Sequence, residues 1–569
     1  MRLTCAVSLT LFYDHLMPHF RCSLPRRLWP HLVLLVTILF SGRASVAAAV
    51  NTRPNIILIM ADDLGFSDIG CYGGEIATPH LDTLARKGLR FTQFYNPGRC
   101  CPTRASLMTG VYPHQAGVGH MVDAYAASRR AEFNSPAYTD RLSPQTPTIA
   151  EVLKPAGYRT FMVGKWHLGY RPEEWPAARG FDRSFVMIEG AMNFYGYGPQ
   201  HSLPLGEQGT LPMAVDHTPY IPPREGFFTT DAFTDHAIDY IRETRDGAPF
   251  FLYFAHNAPH WPLHARPETI AKYRGKYRAG WDEIRARRYE KLRQEGVIHS
   301  RWPLAPRPAN LPAWVDLPAE KQELWDSWMA VYAAQVEEMD ASIGRLLATL
   351  RETGQEKNTL ILFFSDNGGA AERPVKTIAG APLGSREHYE GYAIDGAHVS
   401  SAPFRKTKKF THEGGISSPL IAYWPAGIPA ERHGRWVTDP GHIIDIMATC
   451  LDVAGATWPR DWKGERPTAV QGISLAPTFA GRNLDRADPL FWEHEGHRAV
   501  RHGDWKLVAS FNEPWELYNL ATDRTEMTNQ ASAHPEMVQR LSANYTSWAA
   551  AAGVKPWRVL PGNPAKAKK

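Results

Sequence analysis

Cysteine is scarce in this chain, six in 569 residues. Cys5 and Cys22 precede the first apolar run, which leaves Cys71, Cys100, Cys101 and Cys450. Four cysteines in so large a chain exclude a disulfide-built scaffold. Long apolar runs are also missing. The run from Leu32 to Phe40 is short for a membrane span, and no other stretch resembles one. A surplus of one charge is lacking too: 63 Lys and Arg against 58 Asp and Glu give a net charge of +5. With no long basic block, that balance argues against nucleic-acid binding. No internal repeat is present.

The N-terminus reads as a targeting segment. Arg26 and Arg27 precede the apolar run, and small residues follow at Ala44-Ser-Val-Ala-Ala-Ala49. The order basic, apolar, small is that of a secretory signal, so residues 1–49 are expected to be a presequence and the protein secreted or periplasmic. Tethering by an uncleaved signal is the alternative. Residues 50–470 are expected to form a catalytic domain and residues 471–569 a C-terminal subdomain.

Apolar runs recur along the chain and each ends in polar residues. Pro54-Asn-Ile-Ile-Leu-Ile-Met60 ends in Ala61-Asp62-Asp63. Tyr158 to Val163 ends in Gly164-Lys165-Trp166-His167, and Phe250 to Phe254 leads into His256-Asn-Ala-Pro-His260. Thr359 to Phe364 ends in Ser365-Asp366-Asn367, and a fifth run spans Pro419 to Trp424. Such runs suit strands buried on both faces of a parallel sheet. Helical patterns lie between them, at Pro79 to Lys87 and from Val336 to Leu350. The spacing predicts an α/β fold with a large, mostly parallel sheet covered by helices on both faces. In such sheets ligands bind beyond the carboxyl ends of the strands. The Arg- and Glu-rich stretch from Pro267 to Ile298 reads as a helical excursion with a solvated face. Past residue 471, a hairpin over Arg498 to Ser510 and a helix over Pro535 to Ala551 predict a smaller α+β part with an antiparallel sheet.

Asp62-Asp63 and Asp366-Asn367 put three carboxylates and an amide oxygen at strand ends. Adjacent like charges in a pocket are costly unless a cation neutralises them. An all-oxygen set suits a hard cation such as calcium or magnesium rather than zinc. Either pair alone is compatible with a turn or a helix cap. The stretch Arg99-Cys100-Cys101-Pro102-Thr103-Arg104 presents a thiol near an Arg and a helix start, which makes it reactive. The residues alone lead as far as a reactive cysteine, a buried one or a redox pair.

Cys100-x-Pro102-x-Arg104, continued to Thr109-Gly110, resembles the signature of the type I sulfatases. The resemblance runs from Pro54-Asn-Ile-Ile to Glu516-Leu-Tyr-Asn519. It implies an alkaline-phosphatase-like fold and conversion of Cys100 to formylglycine by a formylglycine-generating enzyme. It also implies one calcium ion held by Asp62, Asp63, residue 100, Asp366 and Asn367. By the same resemblance, formylglycine at position 100 is hydrated to a geminal diol, and Arg104 and the cation acidify one of its hydroxyls, which attacks sulfur. Lys165 and Lys408 stabilise the sulfate oxygens. His260 protonates the leaving oxygen, and His167 takes the proton from the second hydroxyl. The implied substrate is an aryl sulfate or a sulfated carbohydrate, with the pocket loops, for instance Met187 to Thr218, deciding between them.

Several assignments compete. His256 and His264 are alternatives to His260, read as structural or peripheral. Lys406 and Lys409 are alternatives to Lys408, and Lys409 is read as a solvated neighbour. His494, His497 and Arg498 are candidates for the pocket rim. The rival functions are a phosphonate monoester or phosphodiester hydrolase of the same superfamily, a non-catalytic binder of sulfated glycans, and a hydrolase or redox protein using unmodified thiols.

Overall fold

The computed structural model describes residues 53–558 except 124–125, 198–212, 245–246 and 300. The expected presequence lies outside the described residues, as does half of the loop between Met187 and Thr218. No helix among the described residues is long and apolar enough to cross a membrane.

The first apolar run forms strand β1 (Asn55–Ala61), and its neighbours explain why it is apolar throughout. It pairs in parallel with β7 (Phe250–Ala255) on one side and β8 (Thr359–Ser365) on the other. Its side chains alternate between two cores. Ile57, Ile59 and Ala61 face one, with the long helix Ala319–Glu352; Ile56, Leu58 and Met60 face the other, with the helix Cys100–Thr109. A strand covered on both faces has no solvated side to alternate towards.

The sheet runs β10-β2-β9-β8-β1-β7-β3-β4-β5-β6, with β11 also pairing β2. Here β2 is Leu89–Tyr95, β3 is Arg159–Lys165, β4 is Arg183–Met187, β5 is Met213–Val215 and β6 is Thr218–Tyr220. The others are β9 (Ser417–Tyr423), β10 (Trp436–Val437) and β11 (Gly441–His442). The centre from β8 to β4 is parallel, whereas β9 runs antiparallel between β2 and β8. Pro419 gives β9 no backbone donor at that position. The register with β2 shifts there, and the Ser418 hydroxyl accepts from the Ser365 backbone at 2.8 Å.

A four-stranded antiparallel sheet follows: β12 (Leu490–His494), β13 (His497–His502), β14 (Trp505–Ala509) and β15 (Glu516–Asn519). The helix Pro535–Ala552 packs on it through Leu541 and Tyr545. A buried ion network ties this sheet to the large one. Lys506 Nζ lies 2.8 Å from both Glu413 and Glu526, and Arg524 Nε lies 3.0 Å from Glu413.

The excursion predicted to have a solvated face is only partly solvated. In its helix Gly280–Gln294, Arg285 and Arg288 are buried. Arg288 bonds Asp68 and Glu75 at 2.7 Å each, and Arg285 donates to the carbonyls of His398 and Ala305. A charge-rich stretch hides such inward-facing cations, because composition alone does not show which charges have partners elsewhere.

Candidate active site

Parallel register brings the strand tips together. Ala61 lies opposite Ser365, and both Met60 and Gly164 lie opposite Ala255. Asp62 and Asp63, Lys165, and Asp366 and Asn367 therefore reach one edge of the sheet. Gly164 has φ of 100°, and a Cβ there would sit 1.7 Å from the Ala255 carbonyl oxygen. Only glycine lets β3 approach β7 closely enough to deliver Lys165.

Opposite charges interlock at these tips. Lys165 Nζ is 2.7 Å from Asp62 Oδ2, and Lys408 Nζ is 2.8 Å from Asp63 Oδ1. Arg104 donates from Nη2 to Asp366 Oδ2 at 2.8 Å and from Nη1 to the Lys165 carbonyl at 2.8 Å. Asn367 Nδ2 donates to Asp63 Oδ1 at 2.7 Å. Two buried oxygens, Asp62 Oδ1 and Asn367 Oδ1, have no hydrogen-bond partner. Unpaired buried oxygens are costly and call for an explanation. Burial and the Asp62 charge push the Asp366 carboxyl up to about 7, despite Arg104 and Lys165. Burial also opposes ionisation of Asp63, but Lys408 and His260 hold its carboxyl below the usual range. Three carboxylates and an amide oxygen, among which Asp62 Oδ1 and Asn367 Oδ1 lack hydrogen-bond partners, form a set that fits a hard cation. Asp62 and Asp63 also lie within metal-binding reach of His260.

Cys100 opens the helix Cys100–Thr109, with Arg99 at the N-cap. Four residues on, Arg104 shares its face, as the helical period requires. The Cys100 thiol is held well below its ordinary value, first by a hydrogen bond from Cys101 and then by Lys165 and His167, against burial. Cys101 is fully buried, 3.3 Å from the Met121 sulfur, and burial raises its thiol well above normal. Of the two neighbours, Cys100 alone lines the cavity of about 750 Å³ in front of the strand tips.

His167, His260 and Lys408 line the same cavity. His260 Nε2 stands 3.5 Å from Asp63 Oδ2, and burial lowers its imidazole to about 4, although Asp63 opposes this. His167 Nε2 lies 2.9 Å from Asp123 Oδ1; burial opposes its protonation, but Asp123 and Cys100 raise it to about 9. His256 and His264 are buried and do not line the cavity.

Sequence reasoning missed several lining residues. Asp123 holds His167 and accepts from Tyr170 Oη at 2.6 Å. Glu372 lies 3.3 Å from Lys408 Nζ and accepts from Trp261 Nε1 at 3.1 Å. No motif marks either acid, since each gains its meaning from a partner distant in sequence. Lys409 is a cavity residue ion-paired with Glu495 rather than a purely solvated neighbour. Of the turn after β12, Glu495 reaches the cavity, whereas His494 is buried behind it. Arg498 packs over the Trp515 ring, 4.4 Å from its centre.

Known proteins carry the same architecture. The family described as Sulfatase matches residues 54–456, and the one described as N-sulphoglucosamine sulphohydrolase, C-terminal, matches residues 405–548. An arylsulfatase of Klebsiella aerogenes is 34% identical, over 80% of this chain and 98% of its own. An uncharacterised sulfatase of Schizosaccharomyces pombe is 32% identical, over 89% of this chain and 95% of its own. A solved structure described as Ps i-CgsB in complex with k-i-k-neocarrahexaose superimposes with a TM-score of 0.63 at 25% identity, over 87% of this chain and 92% of its own. With a matched family covering most of the chain and a cavity framed by acids and cations at the strand tips, this protein belongs to the sulfatase family and hydrolyses sulfate esters.

Proposed function

We propose that this sulfatase removes sulfate from carbohydrates, using formylglycine made from Cys100 and a calcium ion held by Asp62, Asp63, Asp366 and Asn367. The observation that carries the metal assignment is the pair of orphaned oxygens, Asp62 Oδ1 and Asn367 Oδ1, among three carboxylates. Calcium accepts such oxygen-rich sets in flexible geometry, whereas magnesium demands a stricter octahedron. The cavity wall supports a carbohydrate. Arg99, Glu372, Arg373, Lys409 and Glu495 surround Trp261 there, so hydroxyls find partners and one ring finds an apolar face. The chain's resemblance to a protein solved with a carrahexaose agrees with this choice.

Formylglycine supplies an attacking hydroxyl and the cation supplies Lewis acidity. The chain's own residues do the rest. Three carboxylates already face Arg104, Lys165 and Lys408, so a divalent ion leaves a positive surplus for an anionic ester. Lys165 and Lys408, fixed by Asp62 and Asp63, bring charge to the sulfate oxygens without reorganising. His260 donates a proton from Nε2 to the leaving oxygen. Held near 4 by burial and by Lys165 and Lys408, it gains its proton when an anionic ester enters the cavity. The Nε2 of His167 is tied to Asp123, and conversion of Cys100 removes the thiolate that helps hold this imidazole up at about 9, which frees Nδ1 to take the proton at position 100.

The basic, apolar and small segments before residue 50 support secretion and removal of the presequence. Mass spectrometry of the peptide spanning position 100, with turnover assays on an aryl sulfate and a sulfated monosaccharide, tests the proposal. The expected result is an aldehyde at 100, an intact thiol at 101, and turnover that chelation abolishes and calcium restores. An unmodified Cys100 in fully active protein would sink it.

A further inference from the structure

Backbone strain gathers around the active-site cleft. Among the described residues, eleven non-glycine residues have positive φ, and five of them are Asp63, His167, Lys406, Lys409 and Glu495. The first two belong to the site described above. The other three have φ of 66°, 88° and 50°. For Glu495 the two-residue turn joining β12 to β13 requires it, since Gly496 beside it also has positive φ. For Lys406 and Lys409 the side chain gains nothing locally from a left-handed backbone, unlike asparagine or glycine. Such conformations persist where the surroundings enforce them, most often at binding and catalytic sites.

These three residues frame a second cavity. Lys409 and Glu495 are ion-paired and line both the active-site cavity and a neighbouring one of about 890 Å³. Lys406 lines the second cavity with Arg405 and Arg307 and the rings of Phe410, Phe511 and Trp557. Most of the charges there already have opposite partners: Arg405 pairs with Glu516, Arg307 with Asp282, and Lys409 with Glu495. Lys406 differs. It is exposed and forms no ion pair among the described residues; its Nζ lies 4.8 Å from the centre of the Phe410 ring, and Glu513 and Glu516, which line the same cavity, act on it from beyond ion-pair distance.

We propose that this second cavity is a subsite for a further unit of a sulfated oligosaccharide, with Lys406 taking that unit's anionic group. The proposal rests on the sulfated-carbohydrate reading of the first cavity. The two cavities share a wall, the Lys409–Glu495 pair, so a chain whose reacting sulfate lies at Cys100 continues across it. A sugar ring offers apolar C–H faces and a rim of hydroxyls, which match aromatic rings interleaved with paired charges. A sulfate on that sugar meets the one lysine of this cavity that no direct ion pair occupies, among the described residues. A small aryl sulfate has nothing with which to fill this space.

Inhibition of aryl sulfate turnover by fragments of defined length tests the subsite in the matured enzyme. The probes are a disaccharide and a hexasaccharide from κ-carrageenan and the matching pair from a chondroitin sulfate. In the wild type, at least one hexasaccharide inhibits about tenfold more strongly than its disaccharide, the effect of one charge-assisted contact. Rising salt shrinks this advantage. Lys406→Ala removes most of it, Phe511→Ala removes part, and turnover of the aryl sulfate stays within about twofold of wild type because that substrate stops at the shared wall. Equal inhibition by long and short fragments overturns the subsite, as does a length advantage that survives both substitutions together. If no fragment inhibits while the aryl sulfate is still turned over, the carbohydrate reading falls first and the subsite with it.

Discussion

Two buried clusters of opposite charge in this molecule use similar residues and reach different states. At the junction with the antiparallel sheet, Glu413 and Glu526 meet Lys506 and Arg524 in a closed network, every charge facing an opposite one. None of the four lines the active-site cavity. At the strand tips, Asp62, Asp63 and Asp366 meet Arg104, Lys165 and Lys408, yet Asn367 Oδ1 has no partner, Asp62 Oδ1 has only Arg104 at 3.6 Å, and Lys408 carries the cluster's edge to a cavity. Both clusters are buried, so both carry the desolvation cost of charge. The closed one returns that cost as a fixed contact between sheets. The open one holds carboxylates and cations apart from complete neutralisation, ready for an ion and an anionic ester.

The comparison breaks most sharply at position 100. Cys100→Ala should lower sulfate-ester turnover by about 10⁴-fold or more, because the nucleophile is gone. Its thermal midpoint should stay close to wild type, since the substitution removes one atom at a cavity wall. Cys101→Ala should do the reverse, costing about 1 kcal/mol of stability in the core while turnover persists. Equal activity losses for the two variants would show that the neighbouring thiols are not distinguished as their surroundings suggest.

Asp366→Asn is the next test. It removes one carboxylate from the open cluster and one partner from Arg104. Turnover should fall by about 10³-fold, the several kcal/mol that a bound cation contributes to charge stabilisation. Calorimetric titration of calcium should show weakened binding. If affinity for calcium is unchanged, Asp366 does not hold the ion.

Glu413→Gln applies the matching change to the closed cluster. It leaves Lys506 and Arg524 short of a carboxylate in a site with no exposure. Breaking a buried ion network this way costs about 3–5 kcal/mol. Denaturant unfolding measures the loss, while kcat of the remaining folded enzyme should hold within about threefold. A large fall in kcat at unchanged stability would erase the distinction between the two clusters.

How much of this was legible in the sequence follows from the same contrast. The strand tips could be read because β1, β7 and β8 are continuous apolar runs and β3 has an apolar centre from Phe161 to Val163, each leading to a polar residue that a buried strand could not otherwise carry. Parallel strands put those residues at one edge whatever the strand order. The closed network could not be read. Glu413, Lys506 and Arg524 stand far apart in ordinary-looking stretches, and only the docking of the second sheet brings them together. Asp123 and Glu372 were hidden for the same reason. Glu495 was hidden by its neighbours, since His494 and His497 drew the chemical argument while the turn geometry selected the glutamate.

Acidity gives the smallest but most diagnostic test, because Glu413 in the closed cluster and Asp366 in the open one respond with opposite signs. The Glu413 carboxyl is held at about 2: burial works against ionisation, but Lys506 and Arg524 outweigh it. A carboxyl depressed on folding stabilises the protein above its unfolded value, about 4.3, and that stability is lost as pH falls from there towards 2. The Asp366 carboxyl is raised to about 7 when no cation is bound. A carboxyl raised on folding costs nothing below its unfolded value, about 3.9, and costs increasingly as pH climbs from there to 7. Buried histidines such as His256 and His260, held at about 3 and about 4, resist protonation and cost stability as pH falls below about 6.5, so the Asp366 contribution is read as a difference between two proteins that share them. On going from pH 7 to pH 5, the thermal midpoint of cation-free wild type should rise by a few degrees relative to that of Asp366→Asn, before the closed network begins to fail below about pH 4. Calcium should remove this difference by holding Asp366 ionised at no cost, so it should stabilise more at pH 7 than at pH 5. Glu413→Gln should leave the difference intact while weakening the acid limb. Calcium stabilisation of the same size at both pH values would mean that the ion does not relieve a carboxylate strained by burial, and the open cluster would then be closed by some other means.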